Sequence, residues 1–242
     1  MEQIYSIPVN EAFDKCKEER ECGCPLCVLY KKLQEDELDL ILGASMMEPD
    51  VRLQTNKEGF CLTHYNMMLK RRRMLGVGLI MESHLADVAK MLDGKAFLFG
   101  DKRRAALGAL GELEESCYVC ERTDKNLSAM IATVCYLFES DTEFRRKFEA
   151  QPWFCLPHYR AMLDYASKKM NKHIYNDFYT LAYSIEKKYL EQLSGDVSWF
   201  CKKFDYRYDK EPWYNSKDSV KRAVKFLGGS FGEEDNPNIS GQ

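Results

Sequence analysis

Eight residues of this chain fall into one pattern, written twice. Cys24-Pro25-Leu26-Cys27 is followed by Phe60-Cys61-Leu62-Thr63-His64-Tyr65. Cys117-Tyr118-Val119-Cys120 is followed by Phe154-Cys155-Leu156-Pro157-His158-Tyr159. The CxxC pairs lie 93 positions apart (Cys24 to Cys117) and the CxxH pairs 94 (Cys61 to Cys155). Each copy supplies three thiols and one imidazole, a soft set of four donors that suits tetrahedral zinc.

The spacing explains how such donors can converge. Two cysteines separated by two residues can turn both sulfurs toward one point. A Cys and a His at i and i+3 share one face of a helix. A CxxH at a helix start also places its thiol where the partial positive charge of the N-terminus favours the thiolate. The residues expected to hold metal are therefore Cys24, Cys27, Cys61, His64, Cys117, Cys120, Cys155 and His158, with two zinc ions per chain, one to each repeat. The half-sites of the two copies are chemically alike, so exchange of ligands between the repeats stays open. An iron–sulfur centre is the alternative, although the dense cysteine runs of ferredoxins are missing.

Four protein donors leave a zinc ion no position for water or substrate, which makes the expected sites structural. The chain has no HExxH, no HxE paired with PCxxC, no GxSxG and no phosphate-binding glycine loop. Cys24-Pro25-Leu26-Cys27 looks like a dithiol redox motif, but such motifs follow a strand, whereas a charged helix is expected here. The second copy also lacks the proline. Cys22, two residues before Cys24, could serve as a resolving thiol if a zinc–thiolate centre responds to oxidants. Its plainer reading is a spare cysteine. The remaining cysteines are expected reduced, because a chain of 242 residues does not need disulfide staples.

The elements that must position these donors are helical. Shifting by the repeat offset aligns Leu38 with Ile131, Ile41 with Val134 and Met68 with Met162, all at helical spacing. Helices are expected near 9–20 and 102–115 ahead of each CxxC, and near 26–43 and 125–139 after it. A loop holding Gly43, Pro49, Asn56 and Gly59 should lead to the first CxxH. Ser140-Asp141-Thr142-Glu143 predicts a short capped helix before the second. Each CxxH should open another helix, with a break at Gly76 and Gly78 in the first repeat. From Leu156 to Leu193 there is no Gly or Pro, so one long helix or two with a bend are both open. The expected fold class is all-α: two fused pseudo-repeats (1–100 and 101–195), an aromatic C-terminal extension with a last helix (196–228) and a disordered tail (229–242). In the extension, Trp199, Phe200, Phe204, Tyr206, Tyr208, Trp213 and Tyr214 should pack as a lid. A helix from Ser216 to Leu227 should carry Val220, Val224 and Leu227 on one face.

Acidic and basic residues nearly balance, 38 against 35, which argues against a general polyanion binder. Lys70-Arg71-Arg72-Arg73 is the densest basic run and reads as a solvated helix face, as does Lys102-Arg103-Arg104. His84 and His173 do not align under the repeat and read as ordinary helix histidines. No apolar run is long enough to span a membrane. The first fifteen residues hold acids and no apolar segment, so no export signal is expected and the expected setting is cytoplasmic.

The paired CPxC and FCxxHY motifs resemble those of a family of uncharacterised bacterial proteins. The residues that carry the resemblance are Cys24 to Cys27, Gly59 to Tyr65 and Trp153 to Tyr159, and it extends to Trp213–Leu227. It implies a bacterial cytoplasmic setting and no known activity. Taken together, the residues predict a zinc-binding, non-enzymatic binding or adaptor protein with a protein partner. A redox- or metal-responsive sensor and an enzyme on the helical scaffold are the alternatives.

Overall fold

Apolar residues recur at helical spacing in much of the chain, and helices follow. A computed structural model describes residues 5–19, 21–93 and 101–229, and among these there are eleven α-helices and no strand. They are α1 (Ser6–Glu18), α2 (Pro25–Ile41), α3 (Pro49–Glu58), α4 (Leu62–Lys70), α5 (Met74–Leu92), α6 (Lys102–Glu115), α7 (Tyr118–Ser140), α8 (Thr142–Glu149), α9 (Leu156–Lys169), α10 (Lys172–Lys202) and α11 (Ser219–Gly228). The tail expected to be disordered lies, from residue 230, outside the described residues.

The chain divides into two compact units. A terminal unit combines residues 1–31 with 127–242, and a central unit spans 32–126. The divisions fall inside α2 and α7, so the units cut across the two sequence repeats.

The terminal unit is built on phenylalanine. Phe13 of α1 lies 4.9 Å from Phe144 of α8, and Phe148 packs 5.0 Å from Phe178 of α10 and 5.1 Å from Phe154. These rings are fully buried. Burying each one contributes roughly 1.5–3 kcal/mol before entropy. At the cluster's edge Lys147 Nζ donates to Asp14 at 2.7 Å and to Asn10 at 3.0 Å. Asp141, rather than Ser140, caps α8 by accepting from the N–H groups of Glu143 and Phe144. The stretch without Gly or Pro resolves into two helices, because Asn171 caps α10 by accepting from His173 N. α10 runs through Ser194-Gly195, where the second repeat was expected to end.

In the central unit Leu38, Ile41, Leu42, Phe60, Met68, Val77, Ile80, Tyr118 and Val119 form the core. The expected loop before the first CxxH is largely a helix, α3, with Pro49 in its first turn. Its binding to α5 is polar, which hid it from an apolar-periodicity reading. Arg52 donates to Ser83 Oγ and to the carbonyl oxygens of Met46 and Leu79, and Asn56 Nδ2 donates to Asp87 at 3.0 Å. His84 is buried with Nδ1 3.1 Å from the Asn56 carbonyl, which makes it a structural histidine. Gly76 does not break α5. A Cβ there would lie 2.8 Å from the Leu42 carbonyl oxygen, so the glycine permits close packing. Of the basic run, Arg71 and Arg73 are not merely solvated, because both bind Asp39.

The aromatic extension departs from the expected lid. It folds back on the last turns of α10, where Trp199 Nε1 donates to the Pro212 carbonyl at 3.0 Å. Lys203 is buried, and its ammonium donates to the carbonyls of Tyr208, Asp209 and Glu211 at 2.7, 3.0 and 2.7 Å. Phe204 and Tyr206 stay 75% and 85% exposed. α11 begins at Ser219, not Ser216. It turns Phe226 inward and leaves Val220, Val224 and Leu227 in solvent, opposite to the expected face. Its anchor is an aromatic stack in which Trp153 lies 5.0 Å from Tyr189, with Phe226 5.5 Å from Tyr189.

Candidate metal centres

Each CxxC sits at the start of a long helix and each CxxH at the start of another. Cys24 precedes α2, which holds Cys27, and Cys117 precedes α7, which holds Cys120. Cys61 and Cys155 are the N-cap residues of α4 and α9, which put His64 and His158 one turn on. The eight residues gather into two groups of four. The terminal unit joins Cys24 and Cys27 to Cys155 and His158. The central unit joins Cys61 and His64 to Cys117 and Cys120. The half-sites are thus exchanged relative to the sequence repeats: the CxxC of each repeat meets the CxxH of the other. One set per repeat, the simpler expectation, does not hold.

The dimensions fit a tetrahedral ion. Zinc bonds of roughly 2.3 Å to sulfur and 2.0–2.1 Å to nitrogen place ligand sulfurs about 3.8 Å apart and sulfur about 3.6 Å from nitrogen. In the terminal unit Cys27 and Cys155 Sγ are 3.5 Å apart, and His158 Nδ1 lies 3.6, 3.5 and 3.1 Å from Cys24, Cys27 and Cys155. In the central unit Cys61 and Cys120 Sγ are 3.9 Å apart. His64 Nδ1 lies 3.2 Å from both Cys61 and Cys117 and 3.5 Å from Cys120. Both histidines therefore present Nδ1.

Thiol electrostatics supports the same reading. Hydrogen bonds from Cys155 and Cys24 pull the Cys27 thiol far below its usual range. Burial holds Cys24 well above it. In the central unit a hydrogen bond from Cys120 brings Cys117 to about 3, while Cys120 rises because Cys117 takes the charge. In each group one thiol is thus driven toward the thiolate by its neighbours, and a divalent soft ion binds thiolates by displacing the protons that remain.

Supporting residues position the ligands. Gln34 is buried, and its side-chain amide meets His64 Nε2 at 2.9 Å. The atom placed there is the amide nitrogen, which donates to an unprotonated Nε2; with Nδ1 on a metal, Nε2 would carry the proton, and the amide turned over would accept it through its oxygen, fixing tautomer and ring orientation. The sequence reading missed Gln34. Its signal is a polar residue on the row Leu26, Tyr30, Gln34, Leu38, whose other members are buried. Arg122, two residues after Cys120, lies over the Tyr118 ring at 4.4 Å and pairs with Glu37 at 3.6 Å. In the terminal unit the Phe154 N–H, next to Cys155, donates to buried Glu186 at 2.6 Å.

Two glycines shape the approach to the ligands. Gly23 has φ 82° and Gly59 has φ 57°, a region that favours glycine. Gly59 caps α3, and its carbonyl accepts from Tyr118 N at 3.0 Å, drawing the two half-sites of the central unit together. Not all remaining cysteines are reduced as expected. Cys16 and Cys22 form a disulfide with Cα atoms 5.0 Å apart, so Cys22 is not a spare thiol. Cys135 is buried and Cys201 exposed, both as free thiols.

The chain belongs to a family of unknown function, DUF6062, whose pattern matches residues 1–234. No curated protein and no solved structure matches it. Among the described residues no helix is long and apolar enough to cross a membrane.

Proposed function

We propose that the protein binds two zinc ions, one through Cys24, Cys27, Cys155 and His158 and one through Cys61, His64, Cys117 and Cys120, and that it acts as a non-enzymatic binding protein held in shape by those ions. The observation that carries this reading is the closure of both donor sets. Each converges four ligand atoms within 4.8 Å of one another. An ion so enclosed has its coordination filled by protein and works as a cross-link. It would tie the start of a CxxC helix to the start of a CxxH helix and add on the order of 10 kcal/mol of folding free energy.

Binding through a protein surface is supported by the C-terminal extension. Its buried Lys203 fixes the loop through three carbonyls, and that loop displays Phe204, Tyr206 and Tyr214 to solvent. Aromatic rings displayed at a surface supply large amphipathic contact area to a protein partner. Elemental analysis and an absorption spectrum of untagged protein, purified without added metal or chelator, test the first half of the reading. Two zinc ions per chain and a featureless visible spectrum are expected. Iron with sulfide and absorption near ~400 nm would overturn it in favour of a cluster.

A further inference from the structure

The two centres have the same donors but not the same access. Cys24 is 1% exposed, Cys27 6% and Cys155 0%, so the terminal centre is sealed. In the central unit Cys61 and Cys120 are only partly buried, and Leu62, next to Cys61, is 75% exposed. The sulfurs of these two partly buried residues are also neighbours, 3.9 Å apart across the centre. Thiolate reactivity follows access as well as charge, and a second thiolate within reach turns a first oxidation into a disulfide.

We propose that Cys61 and Cys120 form an oxidation site: hydrogen peroxide joins the two sulfurs and the central unit gives up its metal, while the terminal centre keeps its own. This rests on the metal-binding reading above. One thiolate attacks a peroxide oxygen, the O–O bond breaks, and hydroxide leaves to become water on taking a proton. The sulfur is left as a sulfenic acid. The second thiolate then attacks that sulfur, forms the S–S bond and expels hydroxide, which takes another proton to give a second water. Two electrons pass from the sulfurs to the peroxide. The ion keeps only Cys117 and His64, too few ligands to hold it.

Release has a structural consequence. Cys117 belongs to the core of the central unit, beside Phe60 and Tyr118, and both Cys61 and Cys120 pack against that core. Loss of the ion therefore loosens the junction of α4 with α7 and the packing of the central unit.

The test uses the full chain carrying Cys201→Ser, which removes the exposed free thiol. Its zinc content is measured first. Hydrogen peroxide is added with a chromogenic zinc chelator, and thiols are mapped by differential alkylation and peptide mass spectrometry. One zinc equivalent should leave before the other, together with a linked Cys61–Cys120 peptide, while Cys24, Cys27 and Cys155 stay reduced. Simultaneous loss of both equivalents, or release with Cys61 and Cys120 still reduced, overturns the proposal. Cys120→His keeps four soft donors but removes the second sulfur. It should hold two zinc ions and release the first more slowly, and release at the parent rate also overturns the proposal. Should that variant fail to fold, the mapping on the parent chain decides. A chain that holds no zinc at either centre instead refutes the metal-binding reading itself, and the oxidation site with it.

Discussion

Glu186 should make the terminal unit lose stability as pH rises through neutrality, and Glu186→Gln should abolish that loss. The carboxyl is 7% exposed in α10. Oε1 accepts from the Phe154 N–H, while buried Oε2 has no hydrogen-bond partner among the described residues. Burial raises its pKa from 4.5 to about 7, only partly offset by the Phe154 N–H. In the unfolded chain the group ionises near the ordinary value. Between these two values the folded chain binds more protons than the unfolded one, so stability falls as pH rises across the window and the loss is complete above it. A separation of about 2.5 units at 1.36 kcal/mol each gives roughly 3 kcal/mol of lost stability near pH 8, and under about 1 kcal/mol near pH 5. Glutamine keeps an acceptor for the Phe154 N–H but never ionises. The variant should then exceed the parent by roughly 3 kcal/mol near pH 8 and by under about 1 kcal/mol near pH 5. Urea unfolding of both proteins with zinc in excess measures the difference, and comparing the two cancels the proton release of the metal ligands. Carbon NMR of the Glu186 carboxyl gives its pKa directly. Equal stability of parent and variant at both pH values, or titration of Glu186 in the ordinary carboxylate range, would refute the reasoning.

Ligand pairing makes a sharp prediction for single substitutions. Cys27→Ser should remove one zinc equivalent and shift the imidazole NMR signals of His158 while leaving those of His64 in place; the reverse pattern would show pairing within the repeats. For the same reason a fragment ending near residue 100 keeps one CxxC and one CxxH from different centres, and dialysis against a mild chelator should strip it of zinc. Gly59→Ala should cost about 1–3 kcal/mol in chemical unfolding, because φ 57° and ψ −157° lie in a region nearly reserved for glycine. Lys203→Met should leave the carbonyls of Tyr208, Asp209 and Glu211 without their donor, at a cost of roughly 2–3 kcal/mol, and limited trypsin digestion should cut faster at Lys210.

The donor chemistry and the helices were legible because both are local. A Cys and a His three residues apart, or apolar residues four apart, need no knowledge of distant packing. The misreadings share a cause in polar or tertiary contacts. α3 is fixed by Arg52 and Asn56 rather than by an apolar stripe. α11 turns a single buried phenylalanine inward instead of its aliphatic row. Gln34 and Glu186 carry signals only as polar residues on buried rows, and periodicity ranks them as noise.

The exchange of half-sites was the hardest feature to read, yet the sequence does carry it, in residues beside the ligands. Under the repeat offset Gly23 aligns with Ser116 and Gly59 with Trp153. Pairing within repeats would set Gly23 toward Gly59, leaving a hole, and Ser116 toward the Trp153 ring, where space is needed. The exchanged pairing sets the smallest residue, Gly23, against the largest, Trp153, and leaves Ser116 beside Gly59. A Cβ on Gly23 would already lie 3.1 Å from Trp153, and Ser116 Oγ donates to the Glu58 carbonyl at 2.7 Å beside Gly59. Interiors close-packed to this degree make such complementarity decisive between two otherwise equivalent ligand sets. Gly23→Ser should therefore destabilise the terminal unit by more than about 1 kcal/mol through its positive φ and the Trp153 contact together. Ser116→Gly should lose only one exchangeable hydrogen bond, about 1 kcal/mol. If Gly23→Ser were neutral in chemical unfolding while Ser116→Gly were severe, packing beside the ligands would not be what selects the pairing.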